Sequence, residues 1–317
     1  MKFVLVGVGK IAKKSVLPAI LNSGKTTLVA CVDRKIEKQE EVRAKYGVPL
    51  VTSLQEAISS FEFDAVYIST PIGLHTTTIL EAAAAKKHIL CEKSIVASLH
   101  EAEEAVAACE KNGVALFEGF MYQFHEQHKV VQSIIAAGKI GEPFRFEARF
   151  GFPPIDQNDF RYSKQMGGGS LLDAGAYTVH AARHFFGKEH VSINSNMFYG
   201  PHEVDMRGHV LMDFGAGKVA DLSFGFDNYY QNRYSVWGTK GCLTLSRAFA
   251  VPPDFSSTLV VEAEGKVESI SMPTDDHFIK ELQLFAQWAN NEQHRVSWYQ
   301  EILAQSRTLN AIRGQLL

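Results

Sequence analysis

Apolar residues in the first third of the chain come in short unbroken runs, separated by stretches that repeat with a helical period. Phe3-Val4-Leu5-Val6 shows no polar alternation, which predicts a strand buried on both faces, as in a parallel sheet. Further strands are predicted over 26–32, 64–69, 88–90 and 114–117. Between them, Ser53-x-x-Glu56 and Ser98-x-x-Glu101 are capping-box patterns that open helices. A third helix is predicted over 75–86, and Asn112-Gly113 ends the one that starts near Glu101. Pro18 falls inside the first helical pattern and predicts a kink there. Such alternation over 1–119 implies a doubly wound parallel sheet.

After Gly119 the pattern changes. A helix is predicted over 126–137, stopping at Gly138, and strands with hairpin breaks follow from Phe144. Runs at 207–214 and 218–226 flank Gly215-Ala216-Gly217, and runs at 234–237 and 243–245 flank Gly238-Thr239-Lys240-Gly241. Paired runs with glycine-bearing connections indicate a mainly antiparallel sheet. An amphipathic helix over 278–290 and another from about 299 close the chain. The expected fold is therefore α/β: a parallel-sheet domain over 1–119, then an α+β domain with a mainly antiparallel sheet over 120–317.

The turn after the first strand carries chemistry. Gly7-Val8-Gly9-Lys10-Ile11-Ala12 reads G-x-G-x-x-A between a predicted strand and a helix. The first glycine allows the tight turn, the second lets a pyrophosphate approach the backbone, and Ala12 lets helix and strand pack closely. The unpaired N–H groups at the start of that helix point at phosphates. The second strand ends at Asp33, where an acid can accept hydrogen bonds from the adenosine ribose hydroxyls. Each part has an ordinary alternative, such as an N-cap for Asp33, but their order favours a dinucleotide site of the Rossmann type. Asp33 argues for NAD because its charge repels a 2′-phosphate, whereas Arg34 and Lys35 suit that phosphate. The balance leans to NAD, with dual use open.

Two further places stand out. Cys91-Glu92-Lys93-Ser94 puts Lys93 at a strand's carboxyl end, where a bound dinucleotide meets its substrate. Gly167-Gly168-Gly169-Ser170 interrupts the second half with a loop able to approach a ligand closely. The helix that follows carries Asp173 and Tyr177, four residues apart on one face. Arg161 is a candidate for substrate or phosphate contact, with a surface ion pair as its plain alternative. His125-x-x-His128 and His180-x-x-x-His184 can each pair on a helix face, but no Cys or carboxylate cluster completes a metal site, so no metal is expected.

Composition narrows the picture little. The 317 residues suit two domains, each with its own core. A net charge of −3 gives no support for binding nucleic acid or a membrane surface. No apolar run approaches membrane-spanning length, and the N-terminus reads as a strand rather than a signal peptide, so the cytoplasm is expected. The cysteines, Cys31, Cys91, Cys109 and Cys242, lack metal or redox spacing and suit small core positions in a reducing compartment.

With these pieces in order, the chain resembles the glucose–fructose oxidoreductase/inositol dehydrogenase family of nicotinamide-dependent sugar oxidoreductases. The matching segments are Gly7 to Ala12, Ser69-Thr70-Pro71-Ile72-Gly73-Leu74-His75, Cys91-Glu92-Lys93, and Gly167-Gly168-Gly169 through Tyr177. The resemblance implies that Lys93 sits between nicotinamide and substrate and that Asp173 takes the family's aspartate role. It also implies that Thr70, Pro71 and His75 line the cofactor cleft and that Glu92 lies near the nicotinamide ribose. For His75, a plain helix-start residue is the alternative.

Many members have His where this chain has Tyr177. Tyr resembles the branch with dihydrodiol dehydrogenases, xylose dehydrogenases and nucleotide-sugar 3-ketoreductases, as do Phe120 to His125 and Asp159-Phe160-Arg161-Tyr162. Ser94 replaces the usual Pro, Gln123 stands where Arg is common, and Asp33 replaces a Ser found in NADP-using relatives.

The expected function is hydride transfer between NAD or NADP and a sugar or nucleotide-sugar carbonyl. A phenol, with an ordinary pKa of about 10, is a poor base at neutral pH, and bringing it into the neutral range takes about 4 kcal/mol, within reach of a neighbouring ammonium. Tyr177 then exchanges the proton while Lys93 polarises the substrate oxygen, or the two roles are swapped. Asp173 orients Lys93 or a substrate hydroxyl. Oxidation of trans-dihydrodiols or free aldoses is the alternative reaction, and a non-catalytic dinucleotide or sugar sensor is the alternative of another class. Phe224, Phe226, Tyr229, Tyr230 and Trp237 would leave a costly open patch on the second sheet. Together with the family's dimers and tetramers, this leads us to expect a homodimer or homotetramer.

Overall fold

The computed structural model describes residues 1–187 and 189–314. It divides into two compact units, Met1–Met121 with Phe278–Ser306, and Tyr122–His277 with the described residues from Arg307 to Gly314.

In the first unit six strands run parallel: β1 (Lys2–Val6), β2 (Thr27–Val32), β3 (Leu50–Val51), β4 (Ala65–Ile68), β5 (His88–Glu92) and β6 (Leu116–Gly119). Their order is β3-β2-β1-β4-β5-β6, so the direction of winding reverses between β1 and β4. Phe3, Val4 and Leu5 are fully buried, as their unbroken run predicts. The ladders end together, Val6 opposite Ile68 and Ile68 opposite Cys91. The glycine turn, the Ser69-Thr70 loop and Lys93 therefore emerge side by side along one sheet edge, at the switch point where ligands bind in such folds.

The first helix departs from the pattern. A π turn over Ala12–Val16 precedes α1 (Leu17–Asn22), and the Leu17 N–H reaches back to the Ala12 carbonyl. Pro18 follows at once and has no N–H to give, so the wider turn lies beside the residue at which the sequence predicts a kink. The next helices are α2 (Gln39–Tyr46), α3 (Leu54–Ser60), α4 (His75–Ala84) and α5 (Leu99–Asn112). Ser53 Oγ accepts the Glu56 N–H at 3.1 Å and Ser98 Oγ the Glu101 N–H at 3.3 Å, as the capping boxes predict. Gly113 ends α5 at φ +65°.

The last two helices, His277–Trp288 and Glu292–Gly314, contribute most of their length to this first unit. The Phe285 ring lies 5.9 Å from Phe3 and 6.2 Å from Phe117, and the Tyr299 hydroxyl donates to the Val114 carbonyl. The sequence boundary at 119/120 assigns these helices to the second domain. An apolar stripe shows that a helix packs, but it does not name the sheet it packs on.

The second unit holds α6 (Glu126–Ala136), β7 (Pro143–Gly151), α7 (Ala176–Phe186), β8 (Ser192–Tyr199), β9 (Asp205–Asp213), β10 (Val219–Gly225), β11 (Gln231–Gly238), β12 (Gly241–Ser246), β13 (Thr258–Ala263) and β14 (Lys266–Ser271). Its strands form one sheet in the order β14-β13-β12-β11-β7-β10-β9-β8, antiparallel except where β10 pairs with β7. Burial alternates along β9: Met206, Val210 and Met212 are buried, while Arg207, His209 and Leu211 face out.

The expected open aromatic patch is smaller than the sequence suggests. Phe224 and Phe226 are buried, the first in the space left by Gly175 and Gly208. Tyr230 is half-buried, its hydroxyl accepting from Arg247 and Asn232. Tyr229, 87% exposed, and Trp237, 51% exposed, remain on the surface. Among the described residues, no helix is long and apolar enough to cross a membrane.

Candidate active site

In the first unit the site is built on close backbone approach. Gly7 has φ +94°, and a Cβ there would lie 2.8 Å from Thr70 Cγ2 and 2.9 Å from the Thr70 nitrogen. Ser69 Oγ donates to the Gly7 carbonyl at 2.7 Å, fastening β4's loop to the turn. Val8 is buried, whereas Gly9, Lys10 and Ile11 are exposed, and a Cβ on Gly9 would meet nothing within 4 Å. Gly9 thus leaves open space beside the first N–H groups of the helix, and Thr70 Oγ1 is buried with no hydrogen-bond partner among the described residues. A pyrophosphate fits both features, which supports the dinucleotide reading of the turn.

Asp33 is more engaged than the sequence reveals. Its Oδ2 accepts the Val8 N–H at 2.9 Å and Lys38 Nζ at 2.5 Å, and its Oδ1 accepts the Lys35 N–H at 2.9 Å. Burial raises the Asp33 pKa, but the hydrogen bonds from Lys38, Lys35 and Val8 outweigh it and hold the carboxyl below its ordinary value. Lys38 was not among the sequence candidates. Its only signals are its charge and its place five residues beyond Asp33. Arg34 is exposed.

Along the same edge, Pro71 follows Thr70 and leads into α4, whose first residue is His75. His75 is 1% exposed, and its ring nitrogens face backbone carbonyls of Thr70, Ser94 and Ile95. Glu92 is also inside: its Oε1 accepts the hydroxyl of Tyr67, a fully buried residue of β4, at 2.8 Å. Glu281, in the helix His277–Trp288, is fully buried, and neither carboxyl oxygen has a hydrogen-bond partner among the described residues. Burial first, and the Glu92 charge second, push its pKa well above the ordinary carboxylate range. Lys93 is half-buried immediately after β5, and its peptide bond to Ser94 is cis.

The second unit gathers Arg161, Asp173 and Tyr177. A second π turn, Leu171–Gly175, carries Asp173 and runs straight into α7, which carries Tyr177. Arg161 Nε donates to Asp173 Oδ2 at 2.7 Å and its Nη1 to Asp159 Oδ1 at 3.1 Å, and Asp173 foremost keeps the guanidinium charged. Two candidates singled out separately are therefore joined. Tyr177 is buried in an aromatic nest, its ring 5.2 Å from Phe150, 5.8 Å from Phe249 and 5.9 Å from Tyr122.

The glycine run makes its close approach to the protein itself. A Cβ on Gly168 would lie 2.4 Å from the Arg161 carbonyl, and one on Gly169 2.4 Å from Asp205 Oδ1. Asp205 Oδ2 in turn accepts from Ser170 Oγ and the Leu171 N–H, at 2.8 and 2.6 Å, where the helix begins. Of the paired histidines, His180 Nδ1 bonds the Tyr122 hydroxyl at 2.7 Å, and His128 meets Tyr234 and the Ala248 carbonyl. Burial pulls His128 down to about 3 and His180 well below its ordinary value. Among the described residues, no group of three or more His, Cys, Asp and Glu assembles to hold a metal.

Comparison with known proteins agrees with this geometry. Residues 1–120 match the oxidoreductase family with an NAD-binding Rossmann fold, and residues 128–244 match the GFO/IDH/MocA C-terminal domain. The chain is 33% identical over 283 residues to the dTDP-3,4-didehydro-2,6-dideoxy-alpha-D-glucose 3-reductase of Saccharopolyspora spinosa, covering 89% of this chain and 85% of that protein. It is 30% identical over 315 residues to a D-xylose 1-dehydrogenase (NADP(+)) of Haloferax volcanii, covering 98% and 96%. The crystal structure of a 3-ketoreductase from Actinomadura kijaniata, in complex with NADP and TDP-benzene, aligns with a TM-score of 0.94 at 30% identity over 99% of this chain and 97% of that one. A glycine turn that leaves room for a pyrophosphate, a switch point bearing Lys93, and matches spanning both halves make this chain an NAD(P)-dependent oxidoreductase of the GFO/IDH/MocA family.

Proposed function

We propose that the protein reduces the keto group of a nucleotide-linked deoxysugar, with Lys93 and Tyr177 handling the proton. One observation carries the reading. In the Actinomadura kijaniata 3-ketoreductase, a lysine and a tyrosine were each chosen for replacement, and they stand the same number of positions apart as Lys93 and Tyr177. The similarity to dTDP-sugar 3-reductases from four organisms supports the substrate class.

A bound nicotinamide supplies the hydride. Tyr177 gives its proton to the substrate oxygen during reduction. The Lys93 ammonium hydrogen-bonds the same oxygen and favours the phenolate that remains. Asp173, held by Arg161, orients a substrate hydroxyl. Oxidation of an aldose is the second reading, favoured by the similarity to the Haloferax volcanii D-xylose dehydrogenase.

Lys38 bears on the choice of cofactor. By pairing with Asp33 it cancels the negative charge that argues against a 2′-phosphate, so we propose that the enzyme accepts NADP(H) as well as NAD(H). We further propose a homodimer or homotetramer formed through the outer face of the second sheet, where Phe198, Leu211 and Trp237 are exposed. We place it in the cytoplasm, whose reducing conditions suit the buried free thiols of Cys31, Cys91 and Cys109.

Nicotinamide absorbance followed with a dTDP-linked 3-ketosugar, D-xylose and a trans-dihydrodiol tests the function. Lys93→Ala is expected to lower kcat/KM by about 100-fold or more, and Tyr177→Phe by at least about tenfold, with NADPH still bound. Unchanged turnover and pH profile in Tyr177→Phe would remove its proton role, and tight cofactor binding with no turnover on any of them would favour a sensor. Lys38→Met is expected to raise KM for NADP(H) roughly tenfold, about 1.4 kcal/mol, and KM for NAD(H) by much less. An equal change for both would show that Lys38 does not read the 2′-phosphate. Sedimentation equilibrium is expected to give a dimer or tetramer mass, and a single-chain mass would set the assembly aside.

A further inference from the structure

We propose that His75 is a positioning residue for Lys93, acting through the backbone of Ser94 and Ile95. The inference rests on the catalytic role given to Lys93 above. The ladder between β4 and β5 ends at Ile68 and Cys91, so neither Thr70 nor Ser94 belongs to it. Beyond that point the His75 ring spans the gap. Its Nε2 lies 2.8 Å from the Thr70 carbonyl oxygen, and its Nδ1 lies 3.1 and 3.0 Å from those of Ser94 and Ile95. From the other side the Ile95 N–H donates to Glu118 Oε1, on β6, at 2.9 Å. With the ring proton on Nδ1, the segment directly after Lys93 is held at two carbonyls and one N–H by side chains from α4 and β6.

The ring is 1% exposed, so water is a poor substitute for these bonds. Each nitrogen serves a different loop: Nε2 the Thr70 loop beside the glycine turn, and Nδ1 the segment that carries Lys93. A neutral imidazole has one N–H, so it donates to one side at a time, and only the imidazolium donates to both. An amide side chain can replace either nitrogen separately. Asn at this position puts an N–H near Nδ1, and Gln reaches toward Nε2. Misplacing a reacting group by about 1 Å costs on the order of 100-fold in rate, whereas a structural lesion lowers stability and rate together.

The test compares His75→Asn and His75→Gln with Lys93→Ala, following NADPH-dependent reduction of a dTDP-linked 3-ketosugar, NADPH affinity by fluorescence, and thermal denaturation. His75→Asn is expected to keep kcat within about threefold and to weaken NADPH roughly tenfold. His75→Gln is expected to do the reverse, losing about 10- to 100-fold in kcat while holding NADPH nearly as well. A second readout needs neither cofactor nor substrate: the ¹³C NMR signal of reductively methylated Lys93, identified by its loss in Lys93→Arg. It should shift in His75→Gln and stay in place in His75→Asn. Loss of kcat and affinity in step with melting temperature in both variants, or an unmoved Lys93 signal in His75→Gln, would overturn the proposal. Full turnover by Lys93→Ala would instead overturn the catalytic assignment beneath it. An inactive Lys93→Ala beside an unaltered His75→Gln would remove His75 alone.

Discussion

The backbone contact between Gly7 and Thr70 is the constraint on which the nucleotide edge depends. No side chain fits at Gly7, and its positive φ turns the chain sharply out of β1. That turn brings the helix N–H groups to the sheet edge and sets the Thr70 loop against them. β5 ends in the same register, so Lys93 emerges at the edge as well. A parallel sheet delivers its loops there because every strand ends on the same side. The protein adds side-chain ties across the loop ends: Ser69 to Gly7, His75 to Thr70 or to Ile95 according to which ring nitrogen carries the proton, and Glu118 to Ile95.

Charge in the first unit is sorted by surroundings. Asp33 stays ionised because three donors converge on it, and Lys38 compensates it. Burial first, and Glu92 second, raise Tyr67 well above the ordinary phenol value, so Tyr67 keeps its proton and donates to Glu92. Burial first, and the Glu92 charge second, likewise favour the protonated form of Glu281.

Local signals in the sequence map well onto local structure. The run Phe3 to Val6, the capping serines Ser53 and Ser98, and the glycines at 113, 215 and 217 each act within a few residues of themselves, and each forms the expected strand, cap or turn. Other features depend on how the chain folds rather than on a local pattern. Lys38 meets Asp33 only because the tight turn Ile36–Lys38 folds it back, and Glu281 gains its surroundings only when its helix packs on the first sheet. The glycine run at 167–169 looked ready for a ligand, yet it is fitted to Arg161 and Asp205, which lie elsewhere in the sequence. Neither π turn is legible in the sequence, because a single extra backbone residue in a helix leaves the apolar pattern nearly unchanged.

The central claim is hydride transfer from a nicotinamide to a sugar ketone. It is tested most directly with NADPH or NADH bearing deuterium at nicotinamide C4 and a dTDP-linked 3-ketosugar, the product being read by NMR. The account predicts deuterium on the former carbonyl carbon and a solvent-derived proton on its oxygen. Label released to water, or a ketone left unreduced by cofactor-saturated protein, would contradict it.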